Sequence, residues 1–191
     1  MIRILTGLVL CAALTVSAAA QEADREPFEV WAAGFEARLM DRGMDQQIVD
    51  SMMDDLEPDM RIIERDRSQP EFVRPVWAYL EGAASDARVN NGLAAQSEHA
   101  AALAIVTDAY DVDADILTAI WGLESAYGEI MGDFDLVRSL ATLAWEGRRR
   151  SFAEAQLFAV AEMISQGYAA RDELKGSWAG AMGQTQFIPT T

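Results

Sequence analysis

The chain is poor in cysteine, with one among 191 residues, so no intrachain disulfide framework exists. It has one histidine, which excludes a histidine-cluster metal site and a Cys/His zinc knuckle. Basic residues are few, 15 Lys and Arg against 31 Asp and Glu, for a net charge of -16. Phosphate backbones and anionic lipid surfaces need a basic partner, so nucleic acid and acidic membranes are excluded as default targets. Alternating strand patterns are absent, and so is any apolar run of the roughly 20 residues that a membrane span requires. With 51% hydrophobic and 24% charged residues, the composition is that of a folded domain.

The N-terminus has the form of a secretory signal. Arg3 supplies the positive charge, Ile4 to Val16 is almost wholly apolar, and Ala18 and Ala20 offer a small-x-small cleavage site before Gln21. Residues 1–20 are therefore expected to be a cleaved signal peptide, leaving no stable membrane anchor. Cys11 lies inside the apolar run, preceded by Leu10, and would be removed with it.

Helical periodicity dominates the remainder. Phe28, Trp31, Phe35 and Leu39 recur on one face of an amphipathic helix ending near Gly43. Asp45 is placed to cap a short helix through Met53, and Pro58 stops it. Residues 59–70 are expected to be irregular with one turn of helix. A helix is expected over 71–89, with Phe72, Val76, Tyr79 and Leu80 together and Asn90-Asn91-Gly92 as its stop. The Ala-rich stretch 93–110 gives another, with Leu103 and Val106 inward. Asp113 caps a helix over 114–127, a further helix covers 135–145, and Ser151 with Glu154 forms a capping box opening a helix through Ser165. The expected class is all-α.

On the helix through Trp121 and Tyr127, a step of about 100° per residue places Glu124 near 80° from Ile116, within the arc of Ile120, Leu123, Leu117, Tyr127 and Trp121. Glu129 falls on the polar side. A carboxyl among apolar side chains loses hydration, which favours its protonated form and suits it to donate to a leaving oxygen. The same placement also fits a Glu at the edge of the stripe that reaches water or pairs with an Arg. Gly122 and Gly128 flank it, suggesting close approach of a ligand or of another helix.

The segment 176–189 holds three glycines within eight residues, together with Ser177, Gln184, Gln186, Trp178 and Phe187. Without a Lys after the glycines, or a strand before them, it is neither a phosphate loop nor a dinucleotide fingerprint. Neutral donors beside aromatic rings suit a hydroxyl-rich sugar; a buried turn with satisfied amides is the plain alternative. His99 sits on a polar flank. Arg148-Arg149-Arg150 can bind an anionic substrate group or pair with nearby acids. Asp111, Asp113 and Asp115 lack the Gly and closing Glu of a calcium loop.

Taken together, Gln69-Pro-Glu-Phe72, Trp77-Ala-Tyr-Leu80, Ile120-Trp-Gly-Leu-Glu-Ser-Ala-Tyr-Gly128, Ala141-Thr-Leu-Ala144 with Arg148-Arg149, and Gly176 through Pro189 resemble the lytic murein transglycosylases of the membrane-bound transglycosylase B type, glycoside hydrolase family 103. The resemblance runs from about Phe28 to the end. It implies a lysozyme-like helical catalytic domain over 21–191, acting on peptidoglycan glycan strands in the periplasm with no metal and no organic cofactor. The family's single catalytic Glu matches Glu124. Its sugar-contacting Ser and Gln match Ser177 and Gln186, and Tyr127 and Phe187 join them as candidate substrate-binding residues.

The implied reaction has Glu124 protonate the glycosidic oxygen between N-acetylmuramic acid and N-acetylglucosamine. The acetamido group stabilises the sugar cation, and Glu124 then takes the proton of the C6 hydroxyl as a 1,6-anhydro ring closes. A non-catalytic glycan-binding module and a hydrolytic muramidase are the alternatives. Ala126 departs from the family, which often has Arg there. The family domain continues past the segment at Pro189, so the 191-residue chain is expected to hold an incomplete catalytic domain with little activity alone.

Overall fold

The computed structural model describes residues 25–68 and 75–191. The expected signal segment, the motif Gln69-Pro-Glu-Phe72 and the proposed inward Phe72 lie outside the described residues.

Helix α1 (Phe28–Asp41) buries the four residues that its periodicity selects: Phe28, Trp31, Phe35 and Leu39. Asp45 accepts from the Gln47 backbone N–H and so caps α2 (Gln46–Met53). The next stretch corrects the sequence expectation. Instead of an irregular segment there is a two-turn helix, α3 (Met60–Arg67), capped by Asp59 through the Arg61 N–H. Its net polarity hid it, because only Ile62, Ile63 and Asp66 turn inward.

The single helix expected over 71–89 is instead divided. Helix α4 (Val76–Ala83) follows Pro75, and α5 (Asp86–Glu98) follows a break at Ala84 and Ser85. Asn90-Asn91-Gly92, expected to stop a helix, lies in the middle of α5. Gly92 is buried there because a tyrosine ring occupies the place of its side chain. Helix α6 (Ala100–Tyr110) starts afresh after His99, and Val106 is exposed rather than inward. Helix α7 (Ala114–Ser125) is capped by Asp113, as expected, and ends two residues early.

Asp135 caps α8 (Leu136–Glu146) through the Arg138 N–H at 2.8 Å. Helix α9 (Arg150–Ser165) starts at Arg149 without a side-chain cap. The expected capping box does not form, because Glu154 turns to Trp31 and Arg38. The expectation of no strands is also corrected: β1 (Phe134–Asp135) pairs antiparallel with β2 (Lys175–Gly176).

Helix α8 is the axis of the core. Except at Arg138 it is buried from Leu136 to Ala144, and it packs against α9, α3 and α1, while α2 closes on α1 and α9. Phe35 lies between Trp31, stacked at 5.5 Å, and Phe158 at 4.9 Å. Helices α5, α6 and α7 form a second group, packed on one another. No helix among the described residues is long and apolar enough to cross a membrane.

Candidate active site

Helix α7 presents a different face to the fold from the one its hydrophobicity selects. Its buried residues are Thr118, Gly122 and Ser125, whereas Ile120 and Leu123 are 49% and 48% exposed. Glu124 is exposed as well. The expectation of a buried carboxyl is thus corrected. The apolar stripe around Glu124 exists, but it lines open surface, and α7 docks through its small residues. Small side chains let helix backbones approach closely, a gain that a hydrophobicity count does not register.

The chain leaves α7 through three successive left-handed residues, Ala126 (φ 49°), Tyr127 (φ 62°) and Gly128 (φ 90°). Two of these carry side chains, a conformation that costs on the order of 1 kcal/mol each and persists only where surrounding contacts impose it. Ser125 imposes much of it here. Its buried hydroxyl accepts from the Gly128 N–H at 3.0 Å, and its carbonyl accepts from Ile130 N–H at 2.8 Å. The side chain of Glu124 is therefore carried at the lip of a tightly closed turn.

The glycine-rich segment is a second closed turn. The Ser177 N–H donates to the Ala181 carbonyl at 2.7 Å, and Ser177 Oγ accepts from the Ala181 N–H at 3.0 Å. The Ser177 hydroxyl keeps its own hydrogen for another acceptor. Met182 pairs with Gly176 on one side and with Phe187 on the other. Gln186, at φ 50°, donates through Nε2 to the carbonyls of Met131 (3.0 Å) and Gly183 (2.8 Å). Phe187 is 56% exposed.

The two turns interlock. Gln186 reaches Met131, Gln184 lies over Gly128, and Gly132 lies against the backbone of Gly176 and Ser177. Glu124, Ser177, Gln186 and Phe187 thus belong to adjoining turns, although some 50 residues of chain separate the two motifs. Tyr127 is placed differently. Its hydroxyl donates to the Arg88 carbonyl at 2.8 Å, and its ring turns towards α5. Arg88, Gly92 and Met131 take part in holding these turns without having been singled out for it in the sequence; Gly92 was assigned there to a helix stop, and Gln184 was noted only as part of the glycine-rich segment.

The arginine run is engaged with acids. Arg148 and Arg149 both pair with the buried Asp66, Arg148 also holds Glu146, and Arg150 pairs with Glu26. Burial acts to raise the Glu146 pKa, but hydrogen bonds and charge from Arg148 and Arg67 outweigh it and hold this carboxyl below the usual range. A hydrogen bond from Arg61 likewise lowers Asp59. His99 stands edge-on to Trp121 at 5.2 Å. Asp113 is consumed as the α7 cap, and Asp115 accepts from Gln96. Among the described residues, no group of three or more His, Cys, Asp or Glu side chains converges as metal ligands would.

A profile of the Transglycosylase SLT domain matches residues 27–191. Membrane-bound lytic murein transglycosylase B of Escherichia coli K12 is 36% identical over 109 residues, which are 54% of this chain and 29% of that protein. SltB3 of Pseudomonas aeruginosa, crystallised with NAG-NAM-pentapeptide, superposes with a TM-score of 0.82 at 50% identity, over 86% of this chain and 44% of that one. SltB3 has also been crystallised with NAG-anhNAM-pentapeptide. The E. coli lytic transglycosylase Slt35, in complex with bulgecin A, gives a TM-score of 0.75 at 26% identity, over 83% of this chain and 52% of that one. The chain spans about half the length, or less, of these relatives.

Proposed function

The chain belongs to the Transglycosylase SLT domain family, and from that premise we propose that it supplies the acid-bearing part of a peptidoglycan lytic transglycosylase, with Glu124 as its single acid and base. The observation that supports this is the interlock of the turn that follows the Glu124 helix with the Ser177–Gln186 turn, which joins the element bearing this exposed carboxyl to one bearing the Ser177 hydroxyl, the Gln186 amide oxygen and the exposed Phe187 ring. Such a lining fits an uncharged, hydroxyl-rich chain. Ile120 and Leu123, exposed near Glu124 on one flank of the helix surface, give a sugar ring apolar ground to cover. Covering it would exclude water from the bond to be cleaved.

In the proposed reaction, the Glu124 proton passes to the glycosidic oxygen as the bond from C1 of N-acetylmuramic acid breaks. The acetamido oxygen of the same sugar supports the cationic carbon. The Glu124 carboxylate then accepts the C6 hydroxyl proton while O6 bonds to C1 and displaces the acetamido group. The carboxyl ends as it began, and no water is consumed. The Ser177 hydroxyl and the Gln186 amide oxygen, as an acceptor from a sugar hydroxyl, hold the sugar, with Phe187 against its face. The enzyme acts in the periplasm, reached through the signal segment 1–20. SltB3 complexes with both the NAM and the anhydro-NAM forms favour this product.

The test is digestion of purified sacculi by the full-length gene product, followed by mass spectrometry. Muropeptides should carry 1,6-anhydro ends, one water lighter than a hydrolytic digest, and take up no oxygen-18 from labelled water. Glu124→Gln should lose at least about 10²-fold in rate, the typical contribution of general acid-base catalysis. Glu129→Gln should retain full rate. Reducing ends labelled from water would make the protein a muramidase. Binding without turnover would make it a glycan-binding module.

A further inference from the structure

We propose that Tyr127 and Arg88 are positioning residues for Glu124, forming a reciprocal clasp that fixes the last turn of α7 against α5. The proposal rests on Glu124 as the acid and adds how its place is set.

The clasp has two bonds running in opposite directions. The Arg88 guanidinium donates to the Gly122 carbonyl at 2.7 Å, and the Tyr127 hydroxyl donates to the Arg88 carbonyl at 2.8 Å. Gly122 precedes Glu124 by two residues and Tyr127 follows it by three, so the attachment straddles the acid. The Tyr127 ring lies in a notch cut from both helices. A β-carbon at Gly92 would come within 2.7 Å of its hydroxyl, and one at Gly122 would overlap the ring. Trp121 meets the ring edge-on at 5.7 Å.

Tyr127 holds a left-handed backbone (φ 62°), which a bulky side chain rarely adopts. The conformation is sustained because the ring fills the notch and its hydroxyl meets the Arg88 carbonyl in this direction. Beside the ring lies a cavity of about 290 Å³, lined in part by Gly92, Thr118 and Leu123. On that side packing does not hold the ring, so the hydrogen bonds and the glycine notch do. An aromatic ring within a sugar-binding motif invites assignment as a stacking platform. Here its polar tip is committed to the neighbouring helix.

Two measurements test the clasp. In the sacculus assay, Tyr127→Phe should lower kcat about tenfold and Arg88→Ala about 10²-fold, the scale expected when a catalytic group is displaced by around 1 Å, with KM unchanged. Arg88→Lys, able to donate to the same carbonyl, should recover most of the loss. A rise in KM at constant kcat in Tyr127→Phe would make Tyr127 a sugar contact and overturn the proposal, as would full activity in both variants.

The second measurement needs no turnover. Gly122→Ala should lower the thermal midpoint by several degrees in the native background, and by much less in Tyr127→Ala, where the ring is gone. Equal shifts in the two backgrounds would overturn the clasp. Glu124→Gln runs alongside as the control: should it remain active, the acid assignment fails, while the stability cycle still decides whether the clasp exists.

Discussion

The indole N–H of Trp31 donates to Glu154 at 3.0 Å, and Arg38 donates to the same carboxylate oxygen at 2.7 Å. Trp31 is only 2% exposed, so its N–H has no access to water. The bond joins α1 to α9 across 123 residues. It also explains why Glu154 abandons the capping position at the start of α9.

Glu154→Ala should therefore destabilise the fold by about 2 kcal/mol, the usual penalty for stranding a buried donor. Glu154→Gln keeps an acceptor for Trp31 and should cost less than half as much. Urea unfolding followed by tryptophan fluorescence reads both values.

Glu146 contributes to the acid sensitivity of the fold. Its side chain is 4% exposed and is held by Arg67 and Arg148. Because its folded pKa lies below the unfolded one, its contribution to stability is complete above the unfolded value of about 4.3 and is lost as pH falls through the folded value. Stability of Glu146→Gln should accordingly be lower than native at pH 6 and should fall less steeply below pH ~4. Equilibrium unfolding at a series of pH values provides the check.

Gly132 and Gly43 both have positive φ, 87° and 78°, but differ in what surrounds them. Nothing lies within 4 Å of a β-carbon added at Gly43, whereas one added at Gly132 would run into the Gly176 carbonyl and the Ser177 nitrogen. Gly43→Ala should cost about 1 kcal/mol, the backbone term alone. Gly132→Ala should cost about 3 kcal/mol or more, because it also forces apart the two interlocked turns. Only the second should abolish sacculus digestion at a temperature where both variants remain folded.

Much of this architecture was legible in the sequence wherever a local rule acts alone. The α1 stripe and the caps Asp45 and Asp113 follow from spacing and from short acidic side chains that satisfy free N–H groups. Local rules failed where a distant partner competed. Ser151 and Glu154 have capping-box spacing, but Trp31 takes the carboxylate. Gly92 sits after two asparagines like a stop, yet α5 continues through it because Tyr127 needs the space. The candidate site residues were found through a motif resemblance, and periodicity placed Glu124 on the wrong side of the helix boundary between core and surface.

By itself the sequence determined the helical class, the caps Asp45 and Asp113, the choice of Glu124 and the neutral glycine-rich turn as candidate site residues, and the lack of the cysteine pair that an intrachain disulfide needs. These depend on residue type and near-neighbour spacing, which are properties of the chain. Only the tertiary structure decided which face of α7 is buried, that Tyr127 points into α5, and that the turns carrying Glu124 and Gln186 interlock. Those outcomes turn on close packing, where the absence of a side chain at Gly92, Gly122 and Gly132 matters more than hydrophobicity, and absence becomes informative only once the neighbour that fills it is in place.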